Sequence, residues 1–535
     1  MRKKSWRGRL MLLLLAMSLV FVAGCQSVGG VNFNQVLKNA LKVQSGESKQ
    51  TLELKLELNE EMLEEMPEDE LAFIRMLSHV KLELSEVKVQ DAENMSMEGR
   101  VSFGDDTGMS FRIQLSPEKL VADLEGAKQP FVVDLAAMQL MDEEWLYEDE
   151  EMYEDEEEIE SIDVEALTPV MMEMIDIVGN YAIDNLPNPS NLKVTPVYQQ
   201  VNGVGTSLMH VQMDMNGPEL WEWVKGYVEA LYSDREGLEA MMKGVVELLN
   251  DNAELWPLYN EMLQPEKGVL DAPTVDEEVA DAADGIMEML ESLQEEMQLT
   301  EEDDSFELMV SDALNMQLDM YVDGKLNIRK SGFQLSYELN DEQMEEEMLP
   351  FKSITLVSAM EQWNVNGSVA ADKPVVTEDT VNVEELDAMH GYEAIKMFEE
   401  DSFLYDLLKN KLHMTRQTYT AYNDDYYNPP IIVPGYITIV PLRDVADTFG
   451  AEIAYDPETR SIELYDEATD TTIVMAIGSD QVTINGDAAQ WPFPVTSIDS
   501  TAYVPARVLV ETLGATIEWE TLYEDFKMLT IQRDL

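Results

Sequence analysis

The side chain with the most defined chemistry in this sequence is a cysteine close to its first residue. Cys25 is the only cysteine among 535 residues, so it has no disulfide partner within the chain. It follows a cationic segment, an apolar run over 10–22 that is short for a membrane span, and the small residues Ala23 and Gly24. A cysteine thiolate is a natural nucleophile for alkylation. The position of Cys25 therefore predicts that this thiol is modified during export.

The segment Val22-Ala23-Gly24-Cys25 resembles the lipobox of bacterial lipoproteins. In that family the cysteine receives a diacylglycerol carrying fatty acids such as palmitate, and the signal peptide is cut in front of it. An ordinary secretory signal predicts an Ala-x-Ala-like cut instead. The resemblance implies a signal peptide over 1–24 and a lipidated cysteine with a short tether over 25–31. No later stretch is long and apolar enough to span a bilayer, so we expect an extracytoplasmic protein that lipid anchors to the outer face of the cytoplasmic membrane.

Known catalytic motifs are missing from the sequence. The four histidines, His79, His210, His390 and His413, lie far apart, and no Gly-x-Ser-x-Gly, His-Glu-x-x-His or Walker motif occurs. Carboxylate pairs are so frequent that none stands out as an acid/base pair, although glycosidase chemistry needs only two carboxylates. We therefore expect no catalytic residue, no metal and no cofactor, with an enzyme as the less favoured alternative.

The acidic composition excludes one class of partner. The chain has 107 acidic and 35 basic residues and a net charge of −72, which repels nucleic acid and anionic lipid headgroups. The stretch 142–160 clusters carboxylates and could bind calcium weakly, but it lacks the EF-hand spacing, and a solvated acidic loop is favoured. The 35 methionines could bind copper. Their helical spacing, as in Val170, Met171, Met174, Ile175 and Val178, instead predicts core filler.

Strands and helices alternate in blocks through the first two thirds of the chain. A helix is predicted over 32–41 and later helices over 169–183, from Gly217-Pro218 onward, over 237–250 and over 274–299. Period-two alternation predicts strands over 51–58, 80–89, 95–103, 109–115, 120–124, 192–200, 206–215, 305–312, 314–337 (a hairpin around Asp323-Gly324) and 354–365. Residues 32–368 are thus predicted to form an α+β domain, an antiparallel sheet with helices packed on one side. This order is similar to the curved half-barrel of lipid- or lipoprotein-carrier proteins, which implies an apolar cavity. A linker with a helical segment follows over 369–416.

The last part of the chain contains a repeat. Residues 430–455 align without gaps to 494–519, which indicates duplicated units. Val440-Pro441-Leu442-Arg443 matches Val504-Pro505-Ala506-Arg507, and Phe449-Gly450-Ala451 matches Leu513-Gly514-Ala515. Each unit predicts a strand, a short helix opened by proline and closed by a left-handed glycine, and a second strand.

These motifs, together with Ile484-Asn485-Gly486, Tyr455-Asp456 and Trp519-Glu520, resemble the copper amine oxidase N-terminal-like (stalk) domain of surface proteins from Gram-positive spore-formers. The resemblance implies a small α+β domain over 417–535 made of two strand-helix-strand units. It implies no copper chemistry, because the separate catalytic domain of those oxidases needs a His-x-His pair that is missing here. Arg443 and Arg507 could contact an anionic cell-wall polymer, but a structural role at the helix start, where they bind nearby backbone carbonyls and acidic groups, is favoured.

Two functions from different classes follow. The favoured one is a non-enzymatic surface lipoprotein whose stalk-type module binds or spaces at the cell wall. The alternative is a carrier or sensor of a lipid or small apolar ligand, which the N-terminal domain would enclose. Partners are the membrane through the lipid, a wall polymer, and cations bound weakly by the acidic surface.

Overall fold

The computed structural model describes residues 32–63, 66–104, 107–135, 164–189, 191–252, 275–301, 306, 310–339, 351–387, 389–523 and 526–535. The predicted signal peptide over 1–24, Cys25 with its tether over 25–31, and the acidic stretch 142–160 lie outside these residues. The chain divides into two compact units. The N-terminal unit runs to residue 124 and from 130 to 380, and the C-terminal unit contains 125–129 and 381–535.

The strands of the N-terminal unit form one antiparallel sheet. They follow the order β6-β5-β4-β3-β2-β1-β11-β10-β9-β8-β7, so most sequence neighbours pair as hairpins. The strands are β1 (Gly46–Leu58), β2 (His79–Val89), β3 (Met95–Phe103), β4 (Thr107–Leu115), β5 (Lys119–Leu124), β6 (Phe131–Asp134), β7 (Leu192–Val201), β8 (Val204–Asn216), β9 (Leu314–Val322), β10 (Ile328–Glu338) and β11 (Phe351–Trp363).

Helices fill the intervals between blocks of strands, so the fold is α+β with a large N-terminal sheet, as predicted. None of the helices among the described residues is long and apolar enough to cross a bilayer. The helices are α1 (Phe33–Leu41), α2 (Glu60–Leu63), α3 (Glu68–Leu77), α4 (Val164–Asp184), α5 (Gly217–Ser233), α6 (Arg235–Asp251) and α7 (Val275–Glu301).

The core of the N-terminal unit lies between the helices and one face of β8, β9 and β10. Alternate strand residues such as Met213, Met316 and Phe333 are buried against Phe33 of α1 and Trp223 of α5. Alternation of this kind puts one face of each strand into the core and the other into water. The flexible methionines fill irregular gaps between the layers, so the predicted role of methionine as core filler is confirmed in these strands.

Helix α4 departs from its predicted packing. Val170 and Met174 pack on α6, but Met171, Ile175 and Val178 are 50%, 41% and 41% exposed. The prediction of one common core face for these five residues is therefore wrong for three of them. The helix is apolar on two faces, and the face that packs on α6 is the one that includes Val170 and Met174.

The start of α5 explains why one predicted strand is wrong. Asn216 caps the helix and forms a reciprocal capping box with Glu219, which satisfies two backbone N–H groups. The carbonyls of Val310 and Ser311 lie directly against Gly217. A strand was predicted over 305–312, but Phe306 is helical and 310–312 form a turn, because the chain reverses against this helix start before entering β9.

This close approach predicts opposite effects for two glycines of the same helix. A Cβ on Gly217 would collide with two backbone carbonyls, whereas a Cβ on Gly226 would meet only Pro187 Cγ at 3.9 Å. We expect Gly217→Ala to lower the free energy of unfolding by about 1–3 kcal/mol through overpacking. Gly226→Ala should raise it by roughly 0.5–1 kcal/mol, because alanine favours a helix interior. Hydrogen exchange of the core strands β8 and β9 measures the difference within the N-terminal unit, and the same sign for both variants would contradict the contact.

The C-terminal unit is built from three small sheets. These are β13-β24-β23, β14-β15-β22-β21 and β16-β17-β18-β19-β20. The strands are β12 (Val381–Asn382), β13 (Arg416–Tyr422), β14 (Ile431–Val433), β15 (Ile437–Pro441), β16 (Glu452–Asp456), β17 (Ser461–Asp466), β18 (Thr471–Ala476), β19 (Gln481–Ile484), β20 (Asp487–Gln490), β21 (Thr496–Ile498), β22 (Thr501–Pro505), β23 (Thr516–Tyr523) and β24 (Phe526–Asp534).

The two main helices of this unit are central to its core. These two helices are α11 (Leu442–Phe449) and α12 (Ala506–Thr512). Short helical segments precede them in the chain, namely α8 (Glu384–Asp387), α9 (Gly391–Ala394), a 3₁₀ turn over Ile395–Met397, α10 (Phe403–Asp406) and a π turn over Leu407–Lys411. Gly450 (φ +66°) and Gly514 (φ +70°) are left-handed, which confirms the predicted glycine caps of α11 and α12. The core buries Phe449, Leu509 and Leu513 completely.

Candidate functional site

The two repeated arginines lie in solvent at the starts of α11 and α12. Arg443 is exposed, and the side chain of Arg507 is 74% exposed, with Nη1 4.0 Å from Glu511 Oε1. Neither guanidinium donates a hydrogen bond to a backbone carbonyl of the described residues. The prediction of bonds to carbonyls is therefore wrong, because a helix start presents N–H groups and the carbonyls without partners lie at the helix end. The predicted contact with acidic groups agrees with the position of Glu511 beside Arg507.

A different arginine binds those helix ends. Arg533, near the end of β24, has a side chain that is 0% exposed and forms a bidentate ion pair with Asp466. Its Nη1 and Nη2 lie 2.5 and 2.9 Å from the two carboxylate oxygens. Nη1 also donates to Leu513 O at 3.1 Å and Nη2 to Phe449 O at 3.0 Å. Nε donates to Gln417 Oε1 at 2.6 Å. These contacts use all five N–H donors of the guanidinium.

The two carbonyls explain why a cation is buried here. Phe449 and Leu513 occupy equivalent places in the repeat, at the ends of α11 and α12. At a helix end the carbonyls lack helical partners, and the helix dipole places a partial negative charge there. Arg533 connects both ends, and its guanidinium lies 4.3 Å from the centre of the Phe449 ring. Thr469 donates a further hydrogen bond to the Asp466 carboxylate. The charges are thus paired and fully hydrogen-bonded, the condition under which a buried ion pair is tolerated.

Sequence reasoning did not single out Arg533, although one signal was present. In β24 the residues Leu529 and Ile531 are completely buried, and period-two alternation puts Arg533 on the same face. An arginine at the end of a buried alternation needs a partner in the core. Because every donor is already used and the site is closed to solvent, this cluster holds the unit together rather than binding a solute.

Two histidines of the N-terminal unit lie beside carboxylates. His79 Nε2 lies 2.7 Å from Glu53 Oε1 and His210 Nε2 lies 2.5 Å from Asp319 Oδ1. Among the described residues, no three His, Cys, Asp or Glu side chains are grouped so that they could hold a metal ion. The hydrogen bond with His79 holds the pKa of the Glu53 carboxyl below its ordinary value, against the opposing effect of burial. This carboxylate therefore stabilises the fold above the ordinary pKa of glutamate, and that stabilisation is lost as the pH falls through the lowered value.

The apolar face of the N-terminal sheet continues past the strands that the core helices cover. One cross-strand row joins the core to the outer strands through Met215, Met316, Leu335, Leu356, Leu54, Val80 and Phe103. Beyond β11 this face is only half-buried by the described residues, and Leu52 is 44% exposed. Leu52 lies opposite Leu82 on β2, which lies opposite Val101 on β3. A surface of this kind suits an apolar ligand.

Two clefts lie along α5, and Leu52 lines neither of them. Each has a volume of about 400 Å³. One is lined by Pro187, Met215 and Trp223, and Glu222 borders both of them. Their size is at the lower end of the range for small-molecule sites.

Comparison with known proteins finds a family match within the C-terminal unit. Residues 421–524 match the family model described as copper amine oxidase N-terminal domain. That domain is a non-catalytic accessory domain, and the catalytic domain of the oxidases is not matched. No curated protein matches the chain. The match lies within the region 417–535 that the sequence motifs assigned to this domain.

Proposed function

We propose that this protein is a non-enzymatic lipoprotein of the Gram-positive cell surface, anchored through lipid on Cys25, whose C-terminal unit binds the cell wall or acts as a spacer there. The match of 421–524 to a non-catalytic accessory domain carries the proposal. The lipobox-like Val22-Ala23-Gly24-Cys25 supports the anchor. The exposed Arg443 and Arg507 give the C-terminal unit two cationic contacts at equivalent places in an otherwise acidic chain.

We also propose that the C-terminal unit contains two duplicated strand-helix-strand units, β15-α11-β16 and β22-α12-β23. The strands β15 and β22 pair antiparallel, with Val440 opposite Val504, and these two residues are equivalent in the sequence repeat. Such self-pairing supports a local two-fold relation between the units and gives each one the same exposed arginine. The units are not identical in their surroundings, because β16 and β23 join different sheets.

Retention on purified cell walls tests the wall-binding role. We expect the full chain in detergent to sediment with walls that retain their anionic polymers. The double variant Arg443→Ala, Arg507→Ala should bind roughly fivefold or more weakly, since each exposed charge contact is worth up to about 1 kcal/mol. Arg460→Ala is the control, because Arg460 is also exposed but lies on the turn between β16 and β17. Equal retention of all three proteins would contradict the arginine contacts, and no retention of the unmodified chain would reject wall binding.

The continuing apolar face favours a second function for the N-terminal unit, the binding of a lipid or another apolar ligand. The described helices leave the outer strands half-buried, and α4 adds the exposed Met171, Ile175 and Val178. Neither the outer strands nor this side of α4 would need apolar side chains if they contacted only water. The ligand in this proposal covers apolar strand residues rather than entering the small clefts along α5.

An apolar dye measures this second function. We expect the double variant Leu52→Asn, Leu82→Asn to bind Nile red roughly tenfold more weakly than the unmodified chain, because two apolar contacts worth about 1.5 kcal/mol or more when fully buried are lost. The matched control is Thr51→Asn with Glu83→Gln. Thr51 and Glu83 form the adjacent cross-strand pair, whose side chains point to the opposite face of the sheet. Equal loss in both double variants, or no dye binding at all, would reject a ligand on this face.

A further inference from the structure

The sheet β13-β24-β23 has two very different faces. One face packs into the core of the C-terminal unit through Tyr419, Ala421, Leu529 and Ile531. The other face carries three cross-strand rows of polar and aromatic residues, namely Thr418–Gln532–Thr516, Thr420–Thr530–Glu518 and Tyr422–Met528–Glu520. The threonines of the two edge strands and both glutamates are exposed to solvent.

Three aromatic rings continue this face at one end. The Tyr422 and Phe526 rings are stacked with centroids 5.2 Å apart and planes within 9°. The rings of Phe526 and Tyr523 are stacked at 4.8 Å and 26°. Tyr523 is 66% exposed. These rings therefore form a short ladder that is exposed at its Tyr523 end and is followed along the strands by rows of hydroxyl and amide groups.

Charge restricts what this face can bind. The charged side chains within the three rows are Glu518 and Glu520, and the next row pairs Arg416 with Asp534. The whole chain carries a net charge of −72. At this face the carboxylates of Glu518 and Glu520 therefore repel an anionic polymer, an anionic headgroup or the same face of a second copy of this chain. A neutral ligand carries no such cost.

Sugar rings, which carry many hydroxyl groups, match the polar and aromatic side chains of this face. Tyrosine presents an apolar face and a polar tip, and the C–H face of a sugar ring stacks against such an aromatic surface. Threonine hydroxyls, the Gln532 amide and the two carboxylates can exchange hydrogen bonds with sugar hydroxyls. Strand β24 has nine residues, about 30 Å at the usual rise per residue, so the rows and rings are long enough for several sugars in line.

We propose that this outer face of β13-β24-β23 is a binding site for a neutral glycan chain, with one sugar stacked on the open ring face of Tyr523, which Phe526 and Tyr422 support from the other side. The proposal rests on the proposed wall-binding function and assigns it a ligand class and a surface. It separates the neutral glycan, which the aromatic face binds, from the anionic polymer, which Arg443 and Arg507 contact. One sugar ring lies against Tyr523, and the hydroxyls of the following sugars lie against the threonine rows.

Calorimetric titration of the full chain in detergent with chitohexaose, a neutral β-1,4-linked oligomer of N-acetylglucosamine, tests the proposal. Tyr523→Ala should weaken binding roughly tenfold or more, as expected for a central aromatic contact. Tyr523→Phe keeps the ring and should bind within about twofold of the unmodified chain, a difference well below that of a central contact. The control is Tyr436→Ala, because Tyr436 is 96% exposed but lies beside β15 of another sheet, and its removal should leave binding unchanged.

Three results would overturn the glycan site: no binding of chitohexaose by the unmodified chain, unchanged binding by Tyr523→Ala, or an equal loss in Tyr436→Ala. If whole cell walls still retain the chain in any of these cases, wall binding stands and only this surface is rejected. If whole walls do not retain the unmodified chain, wall binding itself fails. Circular dichroism of Tyr523→Ala confirms that a loss of binding is not a loss of fold, which the exposure of this side chain leads us to expect.

Discussion

Arg533→Met is expected to lower the free energy of unfolding of the C-terminal unit by about 3–5 kcal/mol, the usual cost of breaking a buried ion pair from one side. The variant leaves the Asp466 carboxylate in the core with Thr469 as its remaining side-chain donor. It also removes the Arg533 donor to Leu513 O and one of the two donors to Phe449 O, which keeps the hydrogen bond from Gln417 Nε2. Desolvation of these groups without a replacement is the physical reason for the large effect.

Hydrogen exchange of the strands that contain Asp466 and Ile531 measures this effect. It follows the C-terminal unit alone, whereas whole-chain unfolding mixes two units. Arg507→Met removes an exposed arginine and should change stability by less than about 0.5 kcal/mol. The double variant Arg533→Met, Asp466→Leu should recover much of the loss, since apolar replacement of a whole buried pair is often neutral. A double variant that is no more stable than Arg533→Met would show that the carbonyl contacts, and not the charge pair, dominate.

The contrast between Arg507 and Arg533 shows what a repeat in the sequence can and cannot predict. The repeat located α11, α12 and their glycine caps, because proline, alternation and left-handed glycine are local signals. It also singled out Arg443 and Arg507, whose side chains are exposed to solvent in the structure. The arginine that joins the two repeated helices lies outside the repeat, and only the assembled core brings Asp466, Phe449 and Leu513 to it.

In the N-terminal unit, too, local sequence patterns predicted most strands, whereas features that depend on contacts between distant segments were not predictable. Strands β1 to β5 and β7 to β11 were predicted from period-two alternation. Asn202-Gly203, at φ +46° and +75°, forms the hairpin turn between β7 and β8, which is a local sequence signal of the same kind. The short strand β6 and the helix α3 were missed, because four residues or an acidic ten-residue segment give a weak periodic signal. The wrong strand at 305–312 depended on backbone contacts with Gly217, and no local pattern records a contact between segments so distant in sequence.

The Cys25→Ser variant is expected to lose fatty-acid labelling completely and with it stable anchoring. A serine hydroxyl lacks the thiolate that the predicted alkylation needs. Two acyl chains, at about 0.8 kcal/mol for each buried CH₂ group, supply the membrane affinity in this proposal. Incorporation of an alkyne analogue of palmitate in growing cells measures the modification directly, and fractionation of the cells measures anchoring.

The sharpest control keeps a thiol in the chain but moves it out of the lipobox-like segment. The double variant Cys25→Ser, Ser27→Cys has one cysteine, as the natural sequence does, two residues further on. If the enzyme that attaches the lipid recognises Val22-Ala23-Gly24 directly before the cysteine, this variant also stays unlabelled, although its thiol has nearly the same surroundings. Labelling of the double variant at the natural level would mean that any nearby thiol is acylated and that the lipobox is not what selects it. Labelling of the single variant Cys25→Ser would place the lipid on another residue and end the proposal that Cys25 is the anchor.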